Sequence, residues 1–172
     1  MIKSPRLTIR SIDESQAQQI METVNDGNDM TAYLKALPED AVQSAFQDMD
    51  GLFNFVQSLV SLRNSPDIKR FGAWNQDNEL VAHVGITGWS SKTPELQITV
   101  AQNYQRLGYG TEFLQSLLPW LFQSFDIRFF VYRLRKDNIP SEKIAYRLDG
   151  ILQEPHSALE RLTLKTYHIY PN

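Results

Sequence analysis

Residues 96–125 read LQITVAQNYQRLGYGTEFLQSLLPWLFQSF, and this stretch decides the fold. It begins with alternating apolar and polar side chains. Leu96, Ile98 and Val100 fall on one side, which predicts a strand with one buried face. From Phe113 onward the apolar residues recur at helical spacing, which predicts a helix with a wide buried stripe. The stretch therefore predicts a strand, a loop and a helix in direct succession.

The loop between these two elements reads Gln105-Arg106-Leu107-Gly108-Tyr109-Gly110. Its two glycines lack Cβ atoms, so successive backbone N–H groups can point into one small space. The positive end of the following helix adds to these donors, and together they predict a site for an anion such as phosphate. An ordinary strand-to-helix turn is the alternative, because Gly-x-Gly turns are common.

The spacing of the loop discriminates between phosphate ligands. A dinucleotide-binding loop requires a third glycine and an acidic residue about 20 positions later. That neighbourhood here reads Phe129-Phe130-Val131. A Walker loop ends in Gly-Lys-Ser/Thr, and the sequence contains no such ending. Both kinds of nucleotide site are excluded.

The pattern Gln105-x-x-Gly108-x-Gly110 resembles the pyrophosphate loop of the GNAT-type N-acetyltransferases. Two more segments resemble that family: Tyr109–Glu112 is similar to the start of its central helix, and Val131–Ser141 to its strand followed by Asn-x-x-Ser. The likeness is greatest to the branch that acetylates N-terminal amines of ribosomal proteins, the RimJ/RimL-like branch. The resemblance implies an α/β GNAT fold, with a mixed, mostly antiparallel sheet of about six to seven strands and about four helices. It also implies acetyl-coenzyme A as the co-substrate.

The resemblance assigns coenzyme A to the loop and to the two strands beside it. The backbone of Thr99, Val100 and Ala101 is expected to pair with the pantetheine arm. Asn138 occupies the family's asparagine position, and its amide can both donate to and accept from pantetheine. A helix cap is a compatible role for Asn138. The remaining cofactor residues are those of the phosphate loop: Gln105, Arg106, Leu107, Gly108, Tyr109, Gly110 and Thr111.

Glu95 is the first choice for the general base. It shares a strand face with Gln97 and Thr99 and matches the acid that much of the family has at the start of this strand. A solvent-facing glutamate at a strand end is the alternative, because a base must first lie within reach of its proton. His83, in the preceding strand, could titrate near neutrality, although a lone strand histidine is more often structural.

The donor to the leaving thiol has two candidates. The family often uses a tyrosine four residues before the glycine of a Gly-Phe pair, and Tyr146 precedes Gly150 by that interval. If Asp149 takes the place of the glycine instead, the register shifts by one residue and Tyr146 is lost. Ser141 is the alternative donor, since a hydroxyl can serve the thiolate.

Composition narrows the class of protein. The chain has 172 residues, no cysteine and a formal net charge of −3. The length predicts one domain over residues 1–172. Without cysteine there is no disulfide, no thiolate metal site and no cysteine acyl-enzyme, so we expect direct transfer without a metal. The small charge and the lack of a long apolar run predict a cytoplasmic protein with no nucleic-acid or membrane partner, either a monomer or a homodimer.

Periodicity and turn residues predict the remaining elements. Pro119 is expected to kink the central helix or end it early. The predicted strands are 7–10, a hairpin over 70–89, 129–134, 150–152 and 162–167, and the predicted helices are 13–24, 38–62 and 141–148.

The function predicted from these features is transfer of an acetyl group from acetyl-coenzyme A to a primary amine. The resemblance to the RimJ/RimL-like branch implies a protein N-terminal amine as the first choice. A modest base would suffice for it, because its pKa of about 8 leaves part of it neutral at pH 7, whereas a lysine has a pKa of about 10.4. The alternatives are a small amine, such as a polyamine or an antibiotic, and a non-catalytic module that binds acyl-coenzyme A.

Overall fold

The computed structural model describes residues 1–12 and 67–172, and its elements are numbered here in chain order within those residues. The helices predicted over 13–24 and 38–62 lie outside the described residues. No described helix is both long and apolar enough to cross a membrane.

The described residues form one sheet of eight strands, in the order β1-β2-β3-β4-β5-β6-β8-β7. All neighbouring pairs are antiparallel except β5 and β6, which run parallel. The parallel pair brackets the central helix, as a crossover connection requires. The strands are β1 (Ile2–Lys3), β2 (Thr8–Ser11), β3 (Ile68–Trp74), β4 (Leu80–Thr87), β5 (Glu95–Val100), β6 (Phe130–Arg135), β7 (Ile151–Leu152) and β8 (Leu164–Ile169).

Helix α1 (Tyr109–Ser124) forms the centre of the core. It packs against β4 and β5, and Leu96 of β5 is fully buried beneath it. The predicted strand and helix are therefore confirmed, with the predicted apolar faces turned inward. The buried stripe of α1 consists of Phe113, Leu114, Leu117, Leu118 and Leu121.

Of the two outcomes expected at Pro119, a kink or an early end of α1, the early end is wrong, because the helix continues to Ser124. A proline removes the hydrogen bond from its own nitrogen to the carbonyl four residues earlier, here that of Gln115. Both Pro119 and Gln115 are exposed, so water can reach the carbonyl that loses its donor. The defect therefore lies on the solvent side, where the helix tolerates it.

Two further differences from the predicted elements have local causes. The additional strand β1 pairs with β2 at the sheet edge, and two residues are too few to show a period in sequence. The strand predicted from 162 begins at Leu164, because helix α3 (Ala158–Thr163) occupies the preceding residues. Ser157 caps α3 by accepting a hydrogen bond from the Glu160 N–H at 3.1 Å. The Ser-x-x-Glu spacing of this cap is visible in sequence.

Candidate active site

Strands β5 and β6 separate into a fork. They pair only at Glu95 with Val131 and at Leu96 with Tyr132, although β5 continues to Val100 and β6 to Arg135. Beyond Leu96 the facing edges no longer bond to each other. The parallel centre of the sheet is therefore open at one end, beside the N-terminus of α1.

Hydrogen-bond direction identifies the part of β5 that faces the fork. The Ala101 N–H donates to the Val81 carbonyl at 2.9 Å, and the β4–β5 register is unbroken, so alternation turns Thr99 towards β4 as well. Ile98 and Val100 then point their main chain into the fork. The Pro94 carbonyl, two residues before Leu96 and four before Ile98, faces the same way and accepts from the Val131 N–H of β6 at 2.9 Å. The main chain of Ile98 and Val100 therefore faces the fork and that of Thr99 and Ala101 faces β4, and Ile98 was not among the residues expected there.

The loop after β5 leads into α1, and the N–H groups at this helix start have no partner among the described residues. Gly108 is the N-cap residue, with φ of 83°, and the Glu112 N–H closes the first helical turn on its carbonyl at 3.1 Å. No described residue accepts a hydrogen bond at ordinary geometry from the N–H groups of Tyr109, Gly110 or Thr111. These are the unsatisfied donors that a helix start offers to an anion.

Glycine is required at the two loop positions for different structural reasons. Gly108 supplies the left-handed backbone that the turn needs, and of the described residues only Arg6, through Nη2 at 3.5 Å, would lie near a Cβ there. A Cβ on Gly110 would lie 3.0 Å from Ile144 Cδ1 and 3.2 Å from Val100 Cγ2. Gly110 therefore lets α1 start in close contact with β5 and with helix α2 (Ile139–Arg147).

The other loop residues divide between internal bonds and solvent. Gln105 Nε2 donates to the Val100 carbonyl at 3.1 Å, which joins the loop to the end of β5. The Thr111 hydroxyl accepts a long hydrogen bond from Arg147 at 3.5 Å. Arg106, with φ of 63°, and Leu107 are both exposed.

Arg6 binds both the loop and the first turn of α1 through its guanidinium group. Its Nε donates to Glu112 Oε2 at 2.6 Å, and its Nη1 donates to the Leu107 carbonyl at 2.9 Å. Ser4 Oγ donates to the same carboxylate at 2.6 Å. The guanidinium also lies 4.3 Å from the centre of the Tyr109 ring. Arg6 and Glu112 are 106 positions apart, so no local pattern could have connected them.

Glu95 lies on the sheet face opposite the α1 core, here called the polar face and defined by Arg70, His83, Glu95 and Arg133. Its Oε2 is 3.8 Å from an Arg133 nitrogen, and its side chain is 28% exposed. Burial of the imidazole, helped by the charge of Arg70, lowers the pKa of His83 to about 4. His83 is therefore neutral near pH 7.

The start of α2 brings Ser141 and Asn138 together beside β6. The Asn138 side-chain carbonyl accepts from the Ser141 N–H at 3.2 Å, which is the predicted helix cap. The Ser141 hydroxyl lies next to the buried Tyr132 hydroxyl. Burial raises the pKa of Tyr132 to about 12, and the nearby Ser141 side chain partly offsets this rise, although no described residue hydrogen-bonds to the Tyr132 hydroxyl at ordinary geometry. Tyr132 belongs to the last residue pair before the fork opens.

Comparison with known proteins agrees with this geometry. The family model described as Acetyltransferase (GNAT) domain matches residues 6–150. The chain belongs to the GNAT acetyltransferase family. It is accordingly an acetyl-coenzyme A-dependent N-acetyltransferase with a GNAT fold.

Relatives of this GNAT chain include the uncharacterized N-acetyltransferase YnaD of Bacillus subtilis strain 168, 24% identical over 89% of this chain and 86% of YnaD. Among solved structures, the acetyltransferase of Salmonella typhimurium that modifies the N-terminal serine of ribosomal protein L7/L12 matches with a TM-score of 0.71. It is 21% identical, over 98% of this chain and 97% of that one. A RimL structure with coenzyme A also has a TM-score of 0.71, at 20% identity and with 98% and 96% covered. These structural likenesses show the fold.

The end of α2 clarifies the family register around Tyr146. The Gly150 N–H bonds to the Ala145 carbonyl at 2.9 Å and the Asp149 N–H to the Tyr146 carbonyl at 3.1 Å, which is a Schellman motif. Asp149 has φ of 54° and so occupies the position that glycine favours. In that register Ala145 takes the place of the GNAT tyrosine. Tyr146 is 60% exposed, and its hydroxyl donates to Glu142 at 3.1 Å.

The described residues suit coenzyme A. The free N–H groups at the start of α1 match a diphosphate, and the open edge of β5 offers strand-like bonds to an amide chain. Asn138 stands at the opposite side of the fork, next to β6. The fit rests on main-chain groups, whose directions the fold determines.

Proposed function

We propose that this GNAT enzyme acetylates protein N-terminal α-amines by direct attack in a ternary complex. The observation that carries the proposal is the fork between β5 and β6, which opens beside a helix start with three free N–H groups. Such an arrangement can hold a diphosphate and a pantetheine arm at once. The absence of cysteine from the sequence leaves no cysteine acyl-enzyme route.

Coenzyme A is proposed to bind along the fork. The N–H groups of Tyr109, Gly110 and Thr111 receive the diphosphate, and Gly108 allows its approach. The main chain of Ile98 and Val100 pairs with the pantetheine arm. Gln105 keeps the Val100 carbonyl occupied, so the Val100 N–H, which has no partner in the described part of the chain, is the group that bonds to the arm.

Two side chains are proposed for the proton transfers. Bound acetyl-coenzyme A supplies an activated thioester, whose reaction with a neutral amine releases a thiolate. Glu95 removes the proton from the amine, directly or through water, because it lies at the closed end of the fork on the polar face. Ser141 donates to the thiolate from the start of α2, with Tyr132 of β6 beside it. Tyr146 is disfavoured as this donor, because Asp149 occupies the glycine position and the Tyr146 hydroxyl is bonded to Glu142.

The choice of acceptor rests on charge and on the structural neighbours. The polar face carries Arg70 and Arg133 beside a single carboxylate, Glu95, among the described residues. Two arginines disfavour a polycation and suit an acceptor with one weakly basic amine. The Salmonella typhimurium enzyme modifies a ribosomal-protein N-terminus. A spermidine N-acetyltransferase chimera also matches this chain, with a TM-score of 0.64 at 15% identity. A polyamine is therefore the second candidate.

A thiol-release assay tests this proposal. We expect release of free coenzyme A with peptides that carry an unblocked N-terminus, and none with the same peptides blocked by an acetyl group. Spermidine and lysine-containing blocked peptides complete the panel. Faster release with spermidine would replace the proposed acceptor, and no release with any amine would favour a module that only binds acyl-coenzyme A.

Gly108→Asp tests the site itself. The aspartate places a carboxylate and a strained backbone where the diphosphate is proposed to lie, so acetyl-coenzyme A binding should be lost in calorimetry. Gly88→Asp is the matched control, because Gly88 also has a positive φ, of 64°, but lies in the β4–β5 turn. Unchanged affinity in the Gly108 variant would refute the loop assignment.

A further inference from the structure

We propose that Arg6 is a positioning residue for the diphosphate of the cofactor, because it neutralises Glu112 and fixes the direction of the loop amide next to it. The inference rests on the proposed function and assigns a role to the N-terminal segment before β2. Arg6 has no place in the predicted site, and it reaches the loop from 106 positions away.

Glu112 places a negative charge close to the proposed diphosphate site, and Arg6 is its partner cation. It lies in the first turn of α1, directly after the three free N–H groups, and its side chain is only 15% exposed. A carboxylate there interacts well with the helix dipole but repels a bound diphosphate. Burial alone would raise the pKa of Glu112, but the hydrogen bonds from Ser4 and Arg6 outweigh it and the pKa is lowered. The carboxylate therefore stays charged at neutral pH and needs a partner cation.

Arg6 supplies that cation in a defined geometry. The Nε bond to Glu112 and the Nη1 bond to the Leu107 carbonyl use two edges of the same planar group. The Arg6 main-chain N–H adds a third contact, donating to Glu112 Oε1 at 2.9 Å. The remaining nitrogen, Nη2, borders the bend at Gly108. The charge of the guanidinium is thus held at the base of the proposed diphosphate site.

The bond to Leu107 also orients the loop. In a trans peptide the carbonyl and the following N–H point in opposite directions. Because the Leu107 carbonyl is held towards Arg6, the Gly108 N–H must point away from Arg6. Arg6 therefore contributes both charge and direction to the site, without being required to touch the ligand.

The test uses Arg6→Gln, Glu112→Gln and the double variant, with calorimetric affinities for coenzyme A and for S-acetylpantetheine, which lacks the diphosphate. Loss of a charge-assisted bond predicts about tenfold weaker coenzyme A binding in Arg6→Gln. The effect should shrink at high salt. Affinity for S-acetylpantetheine should stay within about twofold of the parent. The double variant should recover most of the coenzyme A affinity, because the uncompensated carboxylate is gone.

Lys92→Gln is the matched control. It also removes a cation from an ion pair, with Asp126 at 2.6 Å, but lies in the turn before β5, at the opposite end of that strand. Its coenzyme A affinity should equal that of the parent. Thermal melting of each variant establishes that it is folded.

Three results would overturn the inference. One is an unchanged coenzyme A affinity in Arg6→Gln. Another is an equal loss for both ligands, and the third is a double variant as weak as Arg6→Gln, because both indicate only a structural role. If Arg6→Gln does not fold, Glu112→Gln alone decides: equal or tighter coenzyme A binding supports the role, and a loss of about tenfold or more contradicts it. A parent chain that does not bind coenzyme A would instead refute the proposed function.

Discussion

At the scale of single residues, the environment of Glu95 defines its chemistry. Its distance of 3.8 Å from an Arg133 nitrogen is longer than a hydrogen bond, so the carboxylate keeps acceptor capacity for an amine or a water. It sits where β5 and β6 make their first residue pair. Both features suit a base that acts at the closed end of the fork.

Glu95→Gln should lower kcat by about a hundredfold at pH 7 and leave coenzyme A affinity unchanged, because the amide cannot accept a proton. The loss should shrink as the pH approaches that of a neutral α-amine, about 8 to 9. Steady-state kinetics across that range with an unblocked peptide measure both effects. Glu154→Gln, at an exposed position beyond β7, is the control. Normal turnover of Glu95→Gln at neutral pH would identify Glu95 as a surface residue.

At the scale of elements, the directions of main-chain groups along β5 decide what the fork can bind. Thr99 and Ala101 face β4, and Ile98 and Val100 face the gap. The same alternation that places Leu96 in the core therefore also divides the backbone between sheet and ligand. Apolar side chains at Ile98 and Val100 pack against α1 and α2 while their main chain remains available.

Amide hydrogen exchange should reveal this division. In the free enzyme, the N–H groups of Thr99 and Ala101 should exchange slowly and those of Ile98 and Val100 quickly, because only the first pair bonds to β4. Addition of coenzyme A should slow the second pair and leave the first unchanged. Residue-resolved exchange followed by NMR makes the comparison. Slow exchange at Ile98 without ligand would contradict the assigned direction of β5.

At the scale of the whole molecule, His83 couples folding to pH. Its Nε2 atom is buried, and it lies between Gly72 of β3 and Thr99 of β5. Burial and the Arg70 charge lower its pKa to about 4 in the folded chain, whereas an unfolded histidine has a pKa of about 6.5. Between these values the unfolded state binds more protons, so folding stability falls as the pH drops through that window.

Between pH 7 and pH 5 the protonation of His83 in the unfolded state should lower the unfolding free energy of the parent by about 2 kcal/mol. The decrease in His83→Gln should be smaller than that of the parent by roughly the same amount. Urea unfolding at the two pH values measures the difference. The quantity compared is the change in unfolding free energy between pH 7 and pH 5, rather than the absolute stability of the variant. His156→Gln removes an exposed histidine and should keep the parental pH dependence. Equal pH dependence in His83→Gln and the parent would show that His83 titrates normally.

Local patterns in the sequence account for the order of elements and for the loop. The apolar repeats of β5 and α1 depend only on neighbouring residues. The need for glycine at position 108 is also local, because the turn before α1 requires a positive φ there. The Ser-x-x-Glu cap of α3 could also have been read from these patterns. The GNAT family follows from the same short motifs.

The tertiary structure alone settled which groups are free and which are bonded. The fork exists because β5 and β6 diverge after two residue pairs, and Ile98 replaces Thr99 and Ala101 at its edge because β4 takes the hydrogen bonds of the latter two. Arg6 meets Glu112 only because the N-terminal segment runs beside α1. Such contacts join residues far apart in the chain, and packing and strand register, rather than local propensity, bring them together.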